Sequence, residues 1–149
     1  MMILSSRGEG FATVDMAQAD LWTGRVTMDK LGAAASWLIR GREMQEITGD
    51  GLPLGMLEDI DDSQGVWIHL RDGDQLMMMT DGVEEAFDNR EQLRDALLRA
   101  ADAPDASAAA WSLMHSAQQG EGQGGHDDRT VAVMRFTKRA TVQNKQGEI

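Results

Sequence analysis

The chain has 149 residues, 42% hydrophobic and 26% charged, which suits one domain with a real core and excludes both a disordered chain and two full domains. Its net charge of -11 sets up a field that repels phosphate backbones and anionic lipid, so nucleic-acid binding is disfavoured. The absence of cysteine excludes disulfides, thiolate metal sites and a cysteine nucleophile, leaving carboxylates and three histidines as possible metal ligands.

Met1-Met2-Ile3-Leu4 is apolar, has no capping residue ahead of it, and reads as the last turn of a helix entered midway. It lacks the length and basic flank of a signal peptide, and no apolar run approaches the roughly 20 residues of a membrane span. This segment is therefore expected to be cytoplasmic and not inserted in a membrane. From Phe11 to Leu70, short alternating stretches separated by glycine turns predict an antiparallel meander, with strands near 11–22, 26–32, 36–40, 43–48 and 65–70. Turns are expected at Thr23-Gly24, Arg40-Gly41-Arg42, Gly49-Asp50-Gly51 and Asp72-Gly73. Leu76-Met77-Met78-Met79 is continuously apolar, as in a strand buried on both faces. Leu93, Ala96, Leu97 and Ala100 then mark one helix, with Asp88 as N-cap and Glu91 three residues on. A second begins after Pro104, near Asp105 or Ser107, and places Ala110, Leu113, Met114 and Ala117 on one face. Both helices should lie against a sheet. A glycine-rich connection, Gly120 to Gly125, leads to Asp127-Asp128 and a last strand from Val131 to Phe136. The domain is read as 1–137, with 138–149 a polar, frayed tail.

Asp81 leaves the C-terminal end of one buried strand, whereas Asp127 and Asp128 precede the start of another. The two loops meet at one sheet edge if those strands run antiparallel. Hard cations such as Mg²⁺ and Mn²⁺ take oxygen ligands and keep several waters, so a few carboxylates on loops at one rim are what they need. Gly82 would leave room for an ion, and the Thr130 hydroxyl could fix the second loop. Aspartate before glycine is equally an ordinary turn, as Asp72-Gly73 should be, and an Asp-Asp pair is a common solvated loop. Spacing alone does not decide between these readings.

A further pattern runs from about Glu9 to Phe136. It comprises Phe11-Ala12-Thr13-Val14-Asp15, Asp20-Leu21-Trp22-Thr23-Gly24-Arg25, Gly32-Ala33-Ala34 with Ser36 and Arg40-Gly41, Leu52-Pro53-Leu54-Gly55, Thr80-Asp81-Gly82 and Asp127-Asp128-Arg129-Thr130. In this order the motifs resemble the C-terminal part of metal-dependent protein serine/threonine phosphatases of the PP2C type, and in detail those of the stage II sporulation protein E branch. The resemblance implies an α+β fold, an α-β-β-α sandwich of antiparallel sheets flanked by helices, of which this chain holds the later portion. It implies that Asp81 and Asp127 ligate metal, with Asp128 beside them in a weaker role. The implied reaction is direct hydrolysis of phosphoserine, with two Mn²⁺ or Mg²⁺ ions activating a water and no side-chain nucleophile. The implied partner is a phosphorylated regulatory protein of the anti-anti-sigma type, in sporulation or sigma-factor control. The family's earlier Asp-Gly-Met-Gly motif has no counterpart here, and Ala35 stands where relatives often carry proline. The rival reading is therefore a catalytically silent, partial or degenerate domain that binds the same kind of protein; a third is an α+β domain whose aspartates are only turns. The resemblance also leaves open a membrane tether ahead of the phosphatase in a longer protein.

Other candidates read as structural. His69 and His115 are expected at the surface and His126 in a loop beside Asp127; the glycine run lacks the following lysine of a phosphate loop. The methionines are expected to fill core, and Trp22, Trp37, Trp67 and Trp111 to be packing residues.

Overall fold

Strand β2 (Arg25–Leu31) buries Val26, Met28 and Lys30 and leaves the residues between them wetter, the period of two that arises when one sheet face packs on a core. The computed structural model to which this strand belongs describes residues 12–49, 65–120 and 128–138. β1 (Val14–Ala19) and β5 (Val66–His69) pair antiparallel with either side of β2, giving a sheet of order β1-β2-β5. β3 (Ser36–Arg40), β4 (Glu43–Ile47), β6 (Gln75–Met79) and β7 (Val131–Arg135) form a second antiparallel sheet of order β4-β3-β6-β7. All the strands expected from the sequence are present. The β1–β2 turn requires Gly24, where φ is +76° and an added Cβ would lie 2.5 Å from the Leu70 carbonyl oxygen.

The second sheet separates two cores. On one side Leu38 and Leu76 meet Val26, Met28 and Ile68 of the first sheet and Leu70 just after β5. On the other, Trp37, Ile39, Met77 and Met79 meet α2 (Arg90–Ala101) and α3 (Ala106–Gln119) through Leu93, Ala96, Leu97, Ala109 and Leu113. β3 and β6 are thus buried on both faces, which accounts for their unbroken apolar runs. The layers run sheet, sheet, helices. Among the described residues no helix covers the outer face of the first sheet, where Met16 and Trp67 are exposed, and no helix is long and apolar enough to cross a membrane.

Three local expectations are corrected. Asn89, not Asp88, caps α2: its extended backbone lets its side chain accept from the Gln92 amide at 3.0 Å, while Asp88 engages the Gln92 side chain. The buried stripe of α3 is centred on Ala109, Leu113 and Ala117, leaving Ala110 and Met114 half-buried; Asp105 caps that helix as expected. Of the tryptophans only Trp37 is packed inside. Trp22 lies in the hairpin turn, Trp67 on the open sheet face under the Arg25 guanidinium, and Trp111 on the wet side of α3. The expected opening helical turn, the Gly49-Asp50-Gly51 turn beyond Gly49, Leu52-Pro53-Leu54-Gly55, the glycine run after Gly120, His126, Asp127 and the tail beyond Lys138 lie outside the described residues.

Candidate metal centre

β6 and β7 run antiparallel with Met79 opposite Val131, so the residue that leaves one strand and the residues that enter the other meet at the same end of the sheet. Thr80 clasps them. Its amide donates to the Thr130 carbonyl at 3.1 Å, its hydroxyl accepts from the Thr130 amide at 3.0 Å, and the same hydroxyl donates to the Asp128 carbonyl at 3.0 Å. The second loop is therefore fixed by the hydroxyl of Thr80, not by that of Thr130. Thr80→Val, which keeps the shape and removes both side-chain bonds, is expected to lower unfolding free energy by about 1–3 kcal/mol in urea titrations.

After Thr80 the chain forms one short turn, α1 (Asp81–Glu84). Asp81 is exposed, and its Oδ1 accepts from the Gly82 amide at 3.0 Å, which orients the carboxylate. Gly82 follows in the same turn. It is buried, and its carbonyl accepts from Arg129 Nε at 3.0 Å. Arg129 Nη1 also donates to the Ala117 carbonyl at 2.8 Å, in the last turn of α3, where carbonyls lack helical partners and a cation is favoured. One guanidinium thus braces the Asp81 turn against a helix end, a role the sequence reading missed. Asp128 is exposed on the same rim; Asp127, the preceding residue, lies outside the described residues.

Beside this rim the space between the sheets continues past the core as a cavity of about 280 Å³. Asp81, Thr80 and Thr130 line its mouth together with Thr13, Asp15 and the Gly32-Ala33-Ala34 turn, while Met78 and Ala132 form an apolar wall. Asp15 belongs to a buried polar set. Lys30 Nζ donates to Asp15 Oδ2 at 2.7 Å and to Ser36 Oγ at 2.8 Å, and Ser36 Oγ donates to the same Oδ2 at 2.9 Å. His69 and His115 are exposed and away from the rim, His115 beside Gln119 at 2.9 Å, as expected of surface residues.

The donor chemistry fits a hard divalent cation, since the acidic groups at the rim and cavity offer oxygen only. The donor number does not make a closed cage: among the described residues no three carboxylates or imidazoles are grouped to hold an ion. Mg²⁺ sites commonly use one or two carboxylates with water completing the shell, and the exposed carboxylates of Asp81 and Asp128 on this rim are of that chemical type.

Comparison with known proteins agrees with this architecture. Stage II sporulation protein E of Bacillus subtilis is 26% identical over 139 residues, 91% of this chain and 17% of that protein. The crystal structure of its PP2C phosphatase domain with a fragment of the regulatory domain superposes with a TM-score of 0.77 at 26% identity, over 92% of this chain and 41% of that one. The phosphatase domain presoaked with Mn gives a TM-score of 0.66 at 26% identity, over 87% of this chain and 58% of that one. The chain thus spans less than two thirds of each of these relatives. The α+β sandwich of antiparallel sheets expected from the sequence matches the PP2C phosphatase fold over 87–92% of this chain. With residues 2–137 matching the family model for stage II sporulation protein E, the chain belongs to that family of PP2C-type serine/threonine phosphatase domains.

Proposed function

We propose that the chain carries the acidic rim of a divalent-cation-dependent phosphatase site that removes phosphate from phosphoserine on a regulatory protein, of the anti-anti-sigma kind. The observation that supports this most is the Thr80 clasp, which brings Asp81 and Asp128 to one rim beside a cavity that Asp15, Thr13 and Thr130 also line. Asp81 and Asp127 would hold the ion, with Asp128 in a weaker supporting role. Mn²⁺ or Mg²⁺ supplies positive charge against the charge that develops on a phosphoryl group and raises the acidity of water. The protein's own groups keep that rim in place: the Gly82 amide orients Asp81, Thr80 ties the second loop, and Arg129 braces the turn from behind. No side chain is proposed as a nucleophile. The related domain presoaked with Mn is in keeping with a metal requirement here.

A second reading has its own support. With 58% coverage of the related phosphatase domain, the chain could bind a phosphorylated partner without hydrolysing it. Single-turnover assays of the 149-residue chain on a phosphoserine peptide, with and without Mn²⁺, separate the two when run beside calorimetric binding of the same peptide. Mn²⁺-dependent phosphate release carries the phosphatase reading. Binding without release carries the alternative, and neither result sustains either.

A further inference from the structure

We propose that the outer edge of β7 is an interface between two copies of this chain, which pair there antiparallel about a two-fold axis through Val133. β7 and β4 are the two edges of the second sheet among the described residues, and their sequences differ in kind. β4 exposes Glu43, Gln45 and Glu46, the polar and charged guard that keeps an edge strand from pairing. β7 runs Val131-Ala132-Val133-Met134 without a charge or a proline, the unbroken apolar pattern of β6, which is buried on both faces. In β7, however, Ala132 is exposed and the other three are only half-buried. Its one charged residue does not guard the edge: Arg135 turns its guanidinium to the carbonyls of Ala101, Ala103 and Pro104.

The backbone shows which groups are on offer. The Thr80 amide donates to the Thr130 carbonyl and the Phe136 amide to the Asp74 carbonyl, so the even-numbered residues of β7 bond to β6. The N–H and C=O groups of Val131, Val133 and Arg135 therefore point away from β6, where no strand of the described residues meets them. This set is self-complementary. With Val133 opposite Val133 of a second copy, Val131 of each copy faces Arg135 of the other, and every outward N–H meets an outward C=O. Ala132 then stands beside Met134 on one face while the two valines meet on the other, apolar pairs of the kind that stabilise sheets. Because such an axis is perpendicular to the sheet, each layer continues into its like, and the half-buried side chains on both faces of β7 are covered. Further out, the same register sets Asp128 opposite Lys138, both exposed, at each end of the pair. That contact joins opposite charges and occurs twice, which favours a second copy over a strand of unrelated sequence. The net charge of -11 opposes the approach of two copies, but at about 0.15 M salt screening confines that repulsion to about 8 Å.

Sedimentation equilibrium of the 149-residue chain from roughly 1 to 200 µM, at about 0.15 M salt, reads the association directly, and a monomer–dimer equilibrium is expected. A chain that stays monomeric across that range overturns the proposal, as it would if a strand of the same chain covered β7. Val133→Pro removes an N–H that faces away from β6, a loss an edge strand tolerates, and is expected to abolish the dimer. A folded Val133→Pro that still dimerises as the parent does overturns the pairing. Charge exchange tests the register. Asp128→Lys alone and Lys138→Asp alone are each expected to weaken dimerisation about 10-fold, since the contact occurs twice, and the double variant to return to within about threefold of the parent. Where Val133→Pro does not fold, this series decides: single variants that dimerise as the parent does, or a double variant that is not restored, overturn the proposal. The chain has no cysteine, so Val133→Cys introduces a single thiol per copy. Facing Cα atoms about 5.5 Å apart are within reach of a disulfide, and mild oxidation should give a covalent dimer. Met16→Cys, on the open face of the first sheet, should not. Linkage through Met16→Cys and not through Val133→Cys places the contact on the first sheet and overturns the β7 pairing.

Discussion

Asp81→Asn is expected to weaken Mn²⁺ binding by more than about 100-fold, above the 10- to 100-fold seen for groups one shell further out, and to abolish any Mn²⁺-dependent phosphate release. The substitution isolates charge. Asparagine retains an oxygen for the Gly82 amide, so the turn that leads into α1 keeps its closing bond. Asp81 is exposed and makes no ion pair among the described residues, so the unfolding free energy should stay within about 0.5 kcal/mol. Electron paramagnetic resonance titration and urea denaturation on the same preparation check both halves. A variant that still binds Mn²⁺ as the parent does would remove Asp81 from the site.

Arg40→Met should give the largest loss of stability, about 3–5 kcal/mol, because it strips a buried carboxylate of its counter-ion. The Asp74 side chain is 2% exposed, and Arg40 grips it through Nε at 3.0 Å and Nη2 at 2.6 Å, with the Arg71 amide adding a third donor at 2.7 Å. Burial pushes the Asp74 carboxyl up, but the Arg40 guanidinium and the Arg71 amide outweigh it and hold the group below the usual carboxylate range. A depressed folded-state value means stability that is present above the unfolded value, near pH 4, and lost as pH falls through the folded one. The parent should therefore weaken progressively below about pH 4, and the gap between parent and Arg40→Met should close over the same interval. Urea titrations at several pH values from 3 to 7 measure that gap; one that stayed constant would show that Asp74 does not carry the effect.

The strands could be read from the sequence because burial on one face leaves alternation and burial on both leaves an unbroken run, as in Leu76 to Met79. Asp81 and its neighbours in sequence could be named, but their meeting depended on β6 and β7 being antiparallel neighbours, which is a tertiary fact. The Asp88-for-Asn89 exchange came from choosing between adjacent capping residues that differ only in which side chain reaches the amide three residues on. The exposed tryptophans were misjudged because their single, scattered positions were read as packing, whereas position in a hairpin tip or on an open face decides burial. The Asp15–Lys30 pair left a usable signal. Lys30 continues the inward series Val26 and Met28, and the turn at Gly24 sets the register that puts Asp15 opposite it. Arg129 appeared only as a member of the Asp127-Asp128-Arg129-Thr130 motif and its bracing role could not be read, since the Gly82 and Ala117 carbonyls it reaches lie 47 and 12 residues away on elements whose packing no local pattern reveals.

The sorting of β6 also bears on how such a site can change by mutation. Leu76 and Met78 serve the space between the sheets while Met77 and Met79 serve the helices, so a one-residue insertion or deletion in that strand would exchange every side chain between the two environments. Asp81 cannot drift along the strand without dismantling both cores at once. Heritable adjustment of the rim is thereby channelled into the segments that follow β6 and precede β7, where length can vary while hydrophobic sorting holds the strand ends in place.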